Sequence, residues 1–248
     1  TTLFRSALKL DTCVAMTQGS IGYWLQNALT NEFEKRNIAK PVISVVTQVR
    51  VDKEDPSFKK PSKPIGPFYT KEEADAEAAK DGSTYVEDAG RGYRKVVPSP
   101  MPKEIVEKEA VRALVEADVL TICSGGGGIP VVAEDGQYVG VEAVNDKDFS
   151  ARVLAENVDA DRLIILTGVD NIYINYNQPD QKALEQISVA EAEEYIKEGH
   201  FAAGSMLPKI EAALDFVKGD DKRKAIITSI ENLENIDKEA GTVISQKG

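Results

Sequence analysis

The chain has 248 residues, with 30 Lys and Arg against 41 Asp and Glu, a formal charge of -11, two cysteines and one histidine. That length suits one large α/β domain with ample core, and the acidic balance speaks against a nucleic-acid surface, which needs clustered Lys and Arg. With only Cys13, Cys123 and His200 to draw on, disulfide scaffolds, thiolate or histidine zinc sites and a serine-protease triad fall away, a cytoplasmic setting is expected, and no run is apolar enough to span a membrane.

Residues 1–6, Thr-Thr-Leu-Phe-Arg-Ser, read as a translated sequencing-adapter scar, which places the natural start upstream of Ala7. Asp11 or Thr12 can cap a helix in which Ile21, Trp24, Leu25, Ala28, Leu29 and Phe33 follow the 3.6-residue period, a core or interface helix. The β-branched residues 42–49 predict a buried strand. Residues 52–102 change texture: seven prolines interrupt a charged segment, and Thr70 to Glu73 spells a helix capping box. This excursion is expected to be a small protruding lid inserted in a single domain of residues 7–248.

The α/β rhythm resumes with a helix over about residues 103–116, burying Ile105, Val106, Val111, Leu114 and Val115. A short apolar strand over residues 119–123 then runs into four consecutive glycines, Gly125, Gly126, Gly127 and Gly128. Glu134-Asp135-Gly136 predicts a hairpin turn, and Phe149, Val153 and Leu154 predict a helix. Residues 163–166 form a nearly continuous apolar run, as expected of a strand covered on both faces. Ser188 and Glu191 form a second capping box, for a helix closed by Gly199. Gly204 to Lys209 opens another helix, and residues 225–228 are a last core strand.

Three of these junctions point to one kind of ligand. Gly125 to Gly128, Thr167-Gly168-Val169-Asp170 and Gly204-Ser205-Met206-Leu207-Pro208-Lys209 each join small residues to a strand end or helix start, where free N–H groups and the helix dipole favour phosphate. Lys147 and Lys209 are available to neutralise a phosphoryl group, Asp148 can hold both lysines in place, and Asp146, Asp148 or Asp170 can meet Mg²⁺ through water. Neither the Gly-x-Gly-x-x-Gly nor the P-loop fingerprint fits.

Residues 10–25, Lys63-Pro64-Ile65-Gly66-Pro67-Phe68, the Gly90 to Pro100 block, the four-glycine loop with Ile129-Pro130, Asn145-Asp146-Lys147-Asp148, Leu166 to Asp170 and Gly204 to Lys209 together resemble the carbamate kinases of the amino-acid-kinase superfamily. The resemblance runs over nearly the whole chain from Leu10. It implies a three-layer αβα sandwich with a small protruding subdomain, a homodimer, and reversible phosphoryl transfer between ATP and carbamate with Mg²⁺. In the arginine deiminase pathway that reaction runs from carbamoyl phosphate and ADP toward ATP. By motif, Lys147, Asp148 and Lys209 carry the catalysis, while Lys63 and Gly125 to Gly128 bind the carbamate side. Thr167, Gly168, Val169, Asp170, Tyr176, Gly204, Ser205 and Met206 hold the nucleotide, and no protein metal site is expected. The family's opening strand with its Gly-Gly-Asn loop and its His-Gly-Asn-Gly-Pro loop are not in this sequence, so the resemblance also implies a chain truncated at its N-terminus and inactive by itself. Other readings are a different kinase of the superfamily or a non-catalytic nucleotide-binding fragment.

Overall fold

The computed structural model describes residues 8–88 and 90–248, so the reading of residues 1–6 lies outside the described residues. The chain divides into two compact units, Thr1–Ser150 and Ala151–Gly248.

The first unit opens with α1 (Leu10–Lys35). Its inward stripe is Gln18, Gly22, Gln26, Leu29 and Phe33, while Ile21, Trp24 and Leu25 are exposed. The helical period is right, yet the face that packs is partly polar. Gln18 and Gln26 turn their amides on the backbone of Thr47 and Ser44, a use that apolar counting cannot detect. Neither Asp11 nor Thr12 caps the helix, which starts at Lys9 without a side-chain cap.

The single strand expected at residues 42–49 is two: β1 (Val42–Ser44) and β2 (Gln48–Arg50), which enter different sheets. β3 (Lys63–Tyr69), β4 (Tyr85–Glu87) and β5 (Tyr93–Val97) form an antiparallel sheet in the order β3-β5-β4. Within it lies α2 (Lys71–Asp81), started by the Thr70/Glu73 capping box and stopped by left-handed Gly82. The expected helix at residues 103–116 is shorter. Glu104–Ile105 is strand β6, pairing antiparallel with β2, and α3 (Lys108–Glu116) begins after a turn, with Val111 buried and Val115 exposed.

β7 (Leu120–Ile122) pairs parallel with β1, Thr121 opposite Ile43. β8 (Ile129–Glu134) and β9 (Gln137–Gly140) make the predicted hairpin, with Asp135 and Gly136 both at positive φ, and complete a sheet of order β6-β2-β8-β9. Val49, Ile105, Val111 and Val131 are buried in this unit. Next comes α4 (Lys147–Asn157).

The second unit is built on β10 (Arg162–Thr167), β13 (Gln186–Ser188), β14 (Lys224–Ser229) and β15 (Thr242–Ser245), in the order β10-β14-β15-β13. β11 (Ile172–Ile174) and β12 (Lys182–Leu184) form a separate antiparallel pair. α5 (Val189–Lys197) carries the Ser188/Glu191 capping box, and α6 (Leu207–Val217) has Pro208 in its first turn. Ile165, Ile187, Ile210, Phe216, Ile227 and Ile244 belong to one buried cluster. β14 is buried along most of its length, whereas Ile164 and Leu166 of β10 are exposed, so the strand expected to be covered on both faces is covered on one in this chain. Among the described residues no helix is long and apolar enough to cross a membrane.

Candidate active site

In the first unit the four glycines form a tight loop straight after β7. Ser124, Gly126, Gly127 and Gly128 all take positive φ, a run in which side chains with a Cβ are strained. The loop is braced from below. Gln18 accepts a hydrogen bond from the Thr47 N–H at 2.8 Å and donates to the Thr47 carbonyl at 3.0 Å; the Thr47 hydroxyl in turn accepts from the Ser124 N–H at 2.9 Å. From the other side, Asn145 and Ser150 both donate to the Gly127 carbonyl, at 3.1 and 2.8 Å. Among the described residues, the Ser124 hydroxyl and the Asn145 side-chain carbonyl are buried and find no partner. Gly127 has no room for a Cβ, which would stand 2.7 Å from the Asn145 carbonyl, while at Gly126 nothing among the described residues lies within 4 Å, so that residue faces open space.

The same unit places Lys63, Lys147 and Asp148 around the start of α4. Lys63 Nζ lies 2.7 Å from Asp146 Oδ2, and Asp146 Oδ1 accepts the Asp148 N–H at 2.9 Å. Lys147 is exposed and Asp148 buried. Burial works to raise the Asp146 carboxyl, but the Lys63 ammonium, the Asp148 N–H and the Lys147 charge together hold it below the usual carboxylate range. Lys63 sits opposite Val97 at the base of the β3-β5-β4 sheet, and there the Pro98 carbonyl accepts the Val144 N–H.

In the second unit a cavity of about 610 Å³ opens at the carboxyl end of β10. It is lined by Thr167, Gly168, Val169, Tyr176, Ser205, Met206 and Lys209 from the predicted set. Gly204 and Asp170 are not on its wall; Asp170 Oδ1 accepts from the Ser229 hydroxyl at 2.5 Å and the Asp170 carbonyl from Thr228. Tyr173, Asn175, Gln178, His200 and Phe201 also line it, beside Gly199 and Ala202, and sequence reasoning did not select them for a site. The signal was weak, because Asn175 and Asn177 are left-handed turn residues of a kind found in any loop. Gln18 and Thr47 were also passed over: each reaches the glycine loop across a long sequence separation.

A glycine loop with two lysines close by and a second site walled by small residues, aromatics and a lysine is equipment for moving a phosphoryl group. The amino acid kinase family model matches residues 68–229. Carbamate kinase 1 of Enterococcus faecium is 58% identical over 242 residues, covering 97% of this chain and 77% of that protein. The carbamate kinase of Lentilactobacillus hilgardii is 55% identical over 243 residues, 97% and 76% respectively. The chain belongs to the carbamate kinases. The solved carbamate kinase of Giardia lamblia bound to AMP-PNP superposes with a TM-score of 0.88 at 43% identity, covering 98% of this chain and 78% of that one. The fold is therefore the α/β amino-acid-kinase fold, and the reaction is the carbamate kinase reaction, reversible phosphoryl transfer between ATP and carbamate. Similarity on this scale sets aside a different kinase of the superfamily.

Proposed function

We propose that Lys147 and Lys209 are the cations that meet the transferring phosphoryl group, that Asp148 orients them, and that Lys63 with the Gly125 to Gly128 loop holds the carbamate end of carbamoyl phosphate. The observation that carries this reading is the braced glycine loop, with open space at Gly126 and with Lys63 and Lys147 placed around the α4 start in the same unit. The nucleotide belongs in the 610 Å³ cavity, where Tyr176 and Met206 offer apolar surface to a base and Lys209 a charge to phosphates. The Giardia relative, solved with AMP-PNP, supports a nucleotide in this fold.

In the direction of ATP synthesis, a β-phosphate oxygen of ADP forms a bond to phosphorus as the bond from phosphorus to the carbamoyl oxygen breaks, and carbamate leaves with that electron pair. No covalent protein intermediate is needed; the chain supplies position and positive charge. Mg²⁺, a hard ion that takes oxygen ligands and enters on nucleotide phosphates, would be met through water by Asp146, Asp148 or Asp170. When bound, Mg²⁺ neutralises phosphate charge. Asp170 and Gly204 then act on the nucleotide from outside the cavity wall, through the loops they belong to. The β3-β5-β4 sheet with α2 is the lid that carries Lys63, in an enzyme of the arginine deiminase pathway, cytoplasmic and homodimeric.

In enzyme that turns over carbamoyl phosphate, Lys147→Ala and Lys209→Ala each lower kcat by ~10²- to 10³-fold, the usual loss when one preorganised charge contact is removed from a transition state. Nucleotide affinity changes far less. The test is ATP formation from ADP, Mg²⁺ and carbamoyl phosphate, with ADP binding measured in parallel. Wild-type turnover in either variant removes that lysine from the mechanism.

A further inference from the structure

We infer that Asp146 is a positioning residue for carbamoyl phosphate: its carboxylate aims the Lys63 ammonium while capping the helix that begins with Lys147 and Asp148. The inference rests on the proposed role of Lys63 and adds to it a residue that touches neither substrate.

The two oxygens of Asp146 have separate tasks. Oδ1 accepts the Asp148 N–H at 2.9 Å, and the Asp146 carbonyl accepts the Ser150 N–H at 3.1 Å, which together make Asp146 the cap of α4. Oδ2 faces Lys63 Nζ at 2.7 Å. One carboxylate thus joins the base of the β3-β5-β4 sheet to the first turn of α4, two elements 83 residues apart in sequence.

The pair is well placed to hold a direction. Its side chains keep only 34% (Lys63) and 18% (Asp146) of their exposure, so water competes less than at an open surface ion pair. A free lysine samples many rotamers about its four-carbon stem, and a charge-assisted bond to a carboxylate fixed by its own capping role removes most of that freedom. The ammonium keeps two further donors, which can reach an anionic substrate without giving up Asp146. Lys147 adds positive charge next to the carboxylate.

Asp146→Asn separates the two tasks, because asparagine caps helices as well as aspartate does but carries no charge for Lys63. We would measure the KM for carbamoyl phosphate and for ADP, and kcat, in wild type, Asp146→Asn, Lys63→Ala and the double variant, with thermal unfolding to confirm that each folds. Asp146→Asn is expected to lower kcat/KM for carbamoyl phosphate on the order of 10- to 100-fold, the scale of a misplaced substrate contact, while the KM for ADP stays within about twofold. In the Lys63→Ala background the same change should add less than about twofold, as for two residues acting through one contact. Asp146→Glu should recover part of the loss. Full additivity in the double variant, an equal change in the KM for ADP, or a rise in kcat/KM would each overturn the inference. If Lys63→Ala is itself wild type, the substrate role of Lys63 falls with it; if Lys63→Ala is damaging and Asp146→Asn is additive, only the inference about Asp146 falls.

Discussion

Gly127 and Gly126 are adjacent and both left-handed, yet they answer to different constraints. Gly126→Ala meets only the backbone penalty of positive φ, about 1–2 kcal/mol, because nothing lies within 4 Å of its new Cβ. Gly127→Ala adds a clash at 2.7 Å with the Asn145 carbonyl, and with it strains the two hydrogen bonds that Asn145 and Ser150 make to the loop. It should destabilise by at least ~1 kcal/mol more in urea denaturation; equal losses in the two variants would show that the loop moves away from Asn145 freely. Cys123, at the entrance of the same loop, is pushed up by burial to about 11 from an ordinary 9.0. A raised thiol pKa means that the neutral form favours folding. The contribution is complete below about pH 9 and is lost as pH rises toward 11, on the order of 2–3 kcal/mol in all. Wild type should therefore lose stability relative to Cys123→Ala across that window, and at pH 8 iodoacetamide should label native Cys123 far more slowly than the unfolded chain, in proportion to roughly a hundredfold fewer thiolates. Equal labelling rates would mean that the thiol is open to solvent.

The two capping boxes show how the same local device has different reach. α5 buries Val189 and Ala192 in the unit that holds the large core cluster, so Ser188→Ala should cost about 1 kcal/mol in cooperative unfolding. α2 buries only Ala74, and Thr70→Ala should appear instead as faster amide exchange confined to residues 71–81, with little change in the main unfolding transition. A global loss from Thr70→Ala would make the small sheet part of the core that unfolds cooperatively. Both boxes were legible because a cap is a local contract between residues three apart, and so was the Asp135-Gly136 turn. The division of residues 42–49 was not. Val45 and Val46 are as β-branched as their neighbours, and only partner strands supplied from residues 120–122 and 129–131 show where one sheet ends and the next begins. α1 failed in an instructive way: its period was visible, but Gln18 and Gln26 pack inward for the sake of backbone groups that they meet only in the folded chain. For the site, the glycine loop and its lysines could be seen as separate phosphate-type signals, whereas the clamp of Lys63 by Asp146 spans 83 residues and left no trace in spacing.

At the scale of the molecule, the chain carries a charge of -11 while a band of large apolar side chains on α1 remains exposed, with Tyr23 at 63% and Trp24 at 64%. Apolar surface collected on one helix is how a face that meets another chain commonly looks, and a homodimer closing over α1 would account for it. Sedimentation velocity with Tyr23→Glu checks this: the variant should run as a monomer where the wild type runs as a dimer, and an unchanged dimer would place the interface elsewhere. Trp24 also has a spectroscopic consequence. It is the sole tryptophan of the chain, so excitation at the red edge of protein absorbance lights one indole on one face of one helix. If that face is the seam of a homodimer, its emission should move to longer wavelength as the protein is diluted and the indole meets water, giving a label-free readout of assembly undisturbed by signal from the catalytic loops.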